Sequence, residues 1–100
     1  MKRRDSEKLL ERRLKAEVEA RGGIALKFTS QFHRGIPDRI CLLPGGLVFF
    51  VELKTTGEKP TALQSHEMDR LRALGFMVDV VASFEDLNVL TAKWNALAAK

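Results

Sequence analysis

The reading of the fold turns on Ile36-Pro37-Asp38-Arg39-Ile40-Cys41-Leu42-Leu43-Pro44-Gly45-Gly46-Leu47-Val48-Phe49-Phe50-Val51-Glu52-Leu53-Lys54. Two apolar runs, Arg39 to Leu43 and Leu47 to Leu53, flank Pro44-Gly45-Gly46, whose residues supply the backbone freedom of a tight hairpin turn. The second run is apolar at nearly every position, which predicts a central strand covered on both faces. Pairing Leu43 with Leu47 and continuing outward opposes positions whose numbers sum to ninety, so Asp38 faces Glu52. A bulge at the turn would shift this register by one and still leave the two acids close.

Directly opposed side chains on paired strands have Cβ atoms roughly 4.5–5.5 Å apart, and two carboxylates at that spacing repel unless something positive lies between them. A divalent cation answers that need. Alternation places Glu52 and Lys54 on one face of their strand and Leu53 on the other. Carboxylate oxygens, waters and a backbone carbonyl suit a hard cation such as Mg²⁺ or Mn²⁺, beside which a lysine can hold or activate a water. Taken singly, Asp38 after a proline is an ordinary turn residue, and Glu52 with Lys54 is an ordinary strand-end ion pair. All three meeting at the open end of one apolar hairpin is the pattern of a site.

Outward from the hairpin, Leu10, Leu14 and Val18 form the apolar stripe of an amphipathic helix from Asp5 to Arg21, ended by Gly22-Gly23. Ile24, Leu26 and Phe28 alternate with Ala25, Lys27 and Thr29, predicting a strand with those three apolar residues over the core. Downstream, Thr61-Ala62-Leu63-Gln64 fits a capping box opening a helix whose buried side carries Leu63, Met68, Leu71 and Leu74, with Gly75 as its C-terminal cap. Phe76 to Ala82 reads as a further strand, and Ser83 with Asp86 opens a last helix carrying Leu87, Leu90, Trp94 and Leu97. The order is αβββαβα. The β-α-β passage makes the last strand parallel to a neighbour while the hairpin is antiparallel, giving a mixed sheet flanked by helices.

Composition bounds the function. The 100 residues, 45% hydrophobic and 30% charged, suit a single α/β domain spanning residues 1–100. The lone Cys41 allows neither an internal disulfide nor a cysteine-built zinc site and suits a reducing, cytoplasmic setting. No secretory signal or membrane-spanning run is visible. A net charge of +4 and a pI near 9.6 favour a polyanionic partner. The absence of tyrosine and the scarcity of aromatics outside apolar segments favour backbone contact over base stacking.

Ile36-Pro37-Asp38 followed by Glu52-Leu53-Lys54 resembles the signature of the PD-(D/E)xK nuclease superfamily, and the αβββαβ order matches its restriction-endonuclease-like core. Gly35-Ile36-Pro37-Asp38-Arg39, Leu43-Pro44-Gly45-Gly46, Phe50-Val51-Glu52-Leu53-Lys54, Gln64 and Leu71-Arg72-Ala73-Leu74-Gly75 further resemble the VRR-Nuc family, the virus-type replication-repair nucleases, over the chain from about Glu11 to Ser83. The resemblance implies a metal-dependent DNA endonuclease, with Asp38 and Glu52 holding Mg²⁺ or Mn²⁺, the Leu53 carbonyl completing the coordination and Lys54 acting on the attacking water. It also implies a first-helix glutamate at the metal; Glu7 and Glu11 compete, and counting back from Gly22-Gly23 selects Glu11. Gln64 is implied as a supporting catalytic residue, Lys27 and Ser30 line the DNA side, and Arg34, Arg39 and Lys59 complete a basic fringe for phosphates. Short members of the family resemble homodimeric resolvases of branched DNA such as a Holliday junction; a non-catalytic nucleic-acid-binding module is the alternative. His33 and His66 match no motif and are read as structural or solvated.

Overall fold

A computed structural model describes residues 3–29, 33–55 and 57–100, with side chains described from residue 7 onward. The elements are α1 (Arg3–Ala20), β1 (Ile24–Lys27), β2 (Arg39–Leu43), β3 (Leu47–Leu53), α2 (Ala62–Ala73), β4 (Met77–Val81) and α3 (Phe84–Ala98), in the expected order. The strands form one sheet in the order β1-β2-β3-β4. β1 and β2 are antiparallel, β2 and β3 form the antiparallel hairpin, and β4 runs parallel to β3. The hairpin register pairs Leu43 with Leu47 and Arg39 with Val51, as expected for an unbulged turn. Gly45 and Gly46, both at positive φ, carry that turn.

One face of the sheet is the main core. Leu10, Leu14 and Val18 of α1 and Leu87, Leu90 and Trp94 of α3 close over Cys41, Phe49, Val51, Leu53 and Val81. Phe49 and Trp94 meet edge to face with ring centroids 5.7 Å apart. α1 packs this tightly because Gly23 follows it: a Cβ there would stand 2.3 Å from the Leu42 carbonyl oxygen. On the opposite face, α2 packs beside β4, where Met68 is buried and Phe50 meets Phe76 edge to face.

Both predicted N-caps are present. Thr61 Oγ1 accepts from the Gln64 backbone N–H while Gln64 Oε1 accepts from the Thr61 N–H, and Ser83 accepts from the Asp86 N–H. Gly75, at positive φ, follows the α2 cap at Leu74.

Two packing expectations need correction. Ile24, Leu26 and Phe28 are 58%, 46% and 42% exposed, whereas Ala25 packs on the core. β1 is an edge strand, and its register puts Ile24 and Leu26 beside Leu42 and Ile40, on the face opposite α1 and α3 and away from α2. On α2, Leu63 and Leu74 are exposed and Leu71 is only half-buried; Met68 and the charged Glu67 are the buried residues. The loop leading into β2 presses on that side of the helix. Gly35, at positive φ, approaches so closely that a Cβ would lie 2.9 Å from Leu63 Cγ. Glu67 is compensated by His33 Nε2 at 2.5 Å and Arg70 Nη1 at 3.0 Å. Burial works to raise the Glu67 pKa, but the His33 hydrogen bond and the charges of Arg70, His33 and His66 outweigh it and hold the carboxyl below its ordinary value.

Candidate active site

The open end of the hairpin gathers the charged residues. Pro37 is fully buried and anchors the entry to β2, while the Asp38 carbonyl accepts a 2.7 Å hydrogen bond from the Phe28 N–H. The Asp38 side chain therefore leaves a fixed backbone and remains 45% exposed. Across from it Glu52 is buried near the end of β3. Lys54 follows, its N–H donating to the Val81 carbonyl at 2.9 Å and its Nζ lying 3.6 Å from Glu52 Oε2. Gln64 Nε2 reaches the same oxygen at 3.4 Å from the first turn of α2. One amide thus caps a helix through its oxygen and contacts the acid through its nitrogen.

The Glu52 pKa is raised. Burial is the largest cause and the Asp38 charge adds to it; Lys54 and Arg39 pull the other way without cancelling it.

Glu11, half-exposed on α1, reaches the strand end through Arg39, whose Nη2 donates to Glu11 Oε2 at 2.9 Å. Arg39 Nη1 lies 2.8 Å from Asp38 Oδ2. Arg39, expected in the basic fringe, has a side chain that is 8% exposed and turned toward Glu11. Lys27, Arg34 and Lys59 are exposed, and Ser30 lies outside the described residues. Leu53 is buried, on the core side of its strand, and ends the ladder opposite Val81. Among the described residues no three His, Cys, Asp or Glu side chains converge as a ready-made cation site; Arg39 bridges Glu11 and Asp38. Sequence reading missed the pairing of Arg39 with Glu11 and the cluster of Glu67, His33 and Arg70; a charge at the first position of a buried strand was the available signal for the former.

A mixed sheet in αβββαβ order, with a hairpin that brings an aspartate, a glutamate and a lysine to one end, defines a restriction-endonuclease-like nuclease domain. The chain is 48% identical over 83 residues to "Putative nuclease p44" of Acyrthosiphon pisum secondary endosymbiont phage 1, covering 83% of this chain and 89% of that protein. It is also similar to a solved structure described as a VRR_NUC domain, at 35% identity and a TM-score of 0.80 over 85% of this chain and 92% of that one. No family model matches the chain. By these relationships it belongs to the VRR-Nuc family of nucleases. Among the described residues no helix is long and apolar enough to cross a membrane.

Proposed function

We propose that this nuclease is a metal-dependent, structure-selective DNA endonuclease that hydrolyses phosphodiester bonds in branched DNA, such as a Holliday junction, as a homodimer. The observation that carries the reading is the nearness of Asp38 to Glu52 at the open end of the hairpin, with Lys54 and Gln64 both on Glu52 Oε2. The donor set fits a hard divalent cation, Mg²⁺ or Mn²⁺: the converging groups are carboxylate oxygens, with no thiolate or imidazole among them. Asp38 and Glu52 would hold the ion, with the Leu53 carbonyl and Glu11 completing its surroundings. When bound, such an ion supplies Lewis-acid activation of the phosphate and acidifies water.

The chain's own residues do the rest. Lys54 and Arg39 favour the ionised form of Glu52 against its burial, and Gln64 Nε2 donates to its carboxylate. Lys54 Nζ, fixed by its contact with Glu52, orients the attacking water or stabilises the charge that develops on the phosphate oxygens. Lys27, Arg34 and Lys59, all exposed, hold flanking phosphates, which positions the strand without reading its sequence. Selectivity for branched shape then follows from two sites presented by a dimer, which also doubles the contact area on the DNA.

Labelled four-way junction, flap and linear duplex DNA, incubated with the protein in Mg²⁺ or Mn²⁺ and in EDTA, tests the reading. Junction cleavage that disappears in EDTA and in Asp38→Ala is expected. Cleavage surviving either change refutes the metal chemistry, and binding without cleavage makes the protein a non-catalytic module. Light scattering that shows only monomers, with and without junction DNA, removes the dimer.

A further inference from the structure

The residue that the reading above leaves unexplained is Arg39. A guanidinium buried at a strand end would ordinarily be saturated with hydrogen bonds, since an unmet buried donor is costly. Arg39 is not saturated. Its Nη2 makes a sound hydrogen bond to Glu11 at 2.9 Å. Its Nη1 is 2.8 Å from Asp38 Oδ2 but makes no hydrogen bond, and Nε, equally buried, has no partner among the described residues. Beside it, between α1 and the β1–β2 edge, lies a cavity of about 150 Å³ walled by Leu14, Ala25, Leu26 and Cys41, with the charged residues Glu11, Lys15, Lys27 and Arg39 also on its border. The side chain is thus held at one end, attached only electrostatically at the other, and has space beside it.

We propose that Arg39 is the site's exchangeable counter-ion: it balances Glu11 and Asp38 until a divalent cation arrives, then swings from Asp38 toward the cavity and surrenders the carboxylate. A cation shared by Asp38 and Glu52 competes with a guanidinium nitrogen 2.8 Å from Asp38 Oδ2, because the two positive charges draw on the same carboxylate and repel each other. Asp38 is released before Glu11 because only the Glu11 contact has hydrogen-bond geometry. Arg39 therefore sets metal affinity by competition and acts as a positioning residue. The inference rests on the metal-dependent reading of the site.

Two measurements on the full chain test it. In ¹H–¹⁵N spectra of the unaltered protein, saturating Mg²⁺ shifts the Arg39 Nε–Hε resonance; a protein that binds Mg²⁺ with this resonance unmoved overturns the proposal. By calorimetry, Arg39→Met, whose side chain suits the Leu14 and Cys41 part of the cavity wall, binds Mn²⁺ about tenfold more tightly than the unaltered protein. Equal or weaker binding by the folded variant overturns the proposal. If the unaltered protein takes up neither ion, the metal reading itself has failed. If it binds them and only the Arg39 results are negative, the counter-ion role alone falls.

Discussion

Gln64 joins a structural and a chemical task in one side chain, and three substitutions separate them. Thr61→Ala removes the cap oxygen that accepts from the Gln64 N–H and leaves the Gln64–Glu52 contact in place. An N-cap of this kind contributes about 1 kcal/mol. Unfolding entropy for a chain of this length converts that to a fall in Tm of about 5 °C. Gln64→Ala loses the acceptor for the Thr61 N–H, which is exposed and finds water instead, so its stability cost is about 0.5 kcal/mol. It also strips Glu52 of its amide donor. Hydrogen bonds to charged groups contribute about 1.5–3 kcal/mol, and at 3.4 Å this one belongs at the low end, so kcat/KM on junction DNA falls about tenfold. Gln64→Glu keeps an acceptor for the cap but sets a like charge against Glu52; its Tm stays within a few degrees while activity falls at least as far as in Gln64→Ala. Thermal melts and initial cleavage rates of the three variants decide the matter. Equal activity losses in Thr61→Ala and Gln64→Ala would show that Gln64 acts only through the helix end, and an unimpaired Gln64→Glu would refute the donor role.

Because the folded Glu52 pKa is raised, the folded state binds the extra proton and Glu52 opposes folding increasingly as pH rises through that pKa. Glu52→Gln is therefore expected to abolish cleavage yet melt higher than the unaltered protein at pH 7, with the difference shrinking toward pH 4; a lower Tm at pH 7 contradicts the burial argument. The Cys41 thiol, pushed up to about 12 chiefly by burial, should react with a thiol reagent at pH 8 only as fast as the chain unfolds; labelling complete within seconds under native conditions contradicts its placement. Phe49→Ala, in the middle of the core against Trp94, should cost about 3–5 kcal/mol and lower Tm by roughly 15–25 °C, read as a reduced urea midpoint at unchanged slope.

Local chemistry in the sequence was enough for the hairpin and both caps. Pro44-Gly45-Gly46 admits few turns, so the register from Leu43–Leu47 to Arg39–Val51, at whose end Asp38 and Glu52 stand, follows from it; Thr61/Gln64 and Ser83/Asp86 need only their own helices. What alternation could not say was which face of β1 would find helices: it shows that Ile24, Leu26 and Phe28 share a side, whereas strand order and helix placement put that side in solvent. Glu67 was opaque for a similar reason. Its burial depends on the Gly35 loop and on His33, 34 residues away. Arg39 reads as a phosphate contact until Glu11, 28 residues upstream, is seen to claim it.

The three-residue tip at Pro44-Gly45-Gly46 lies at the far end of the hairpin from the reacting groups, yet it works as their ruler. Its length sets Leu43 against Leu47, and each pair down the ladder to Arg39 and Val51 inherits that phase. Loop length at the quiet end is therefore as much an inherited constraint as the identity of the acids.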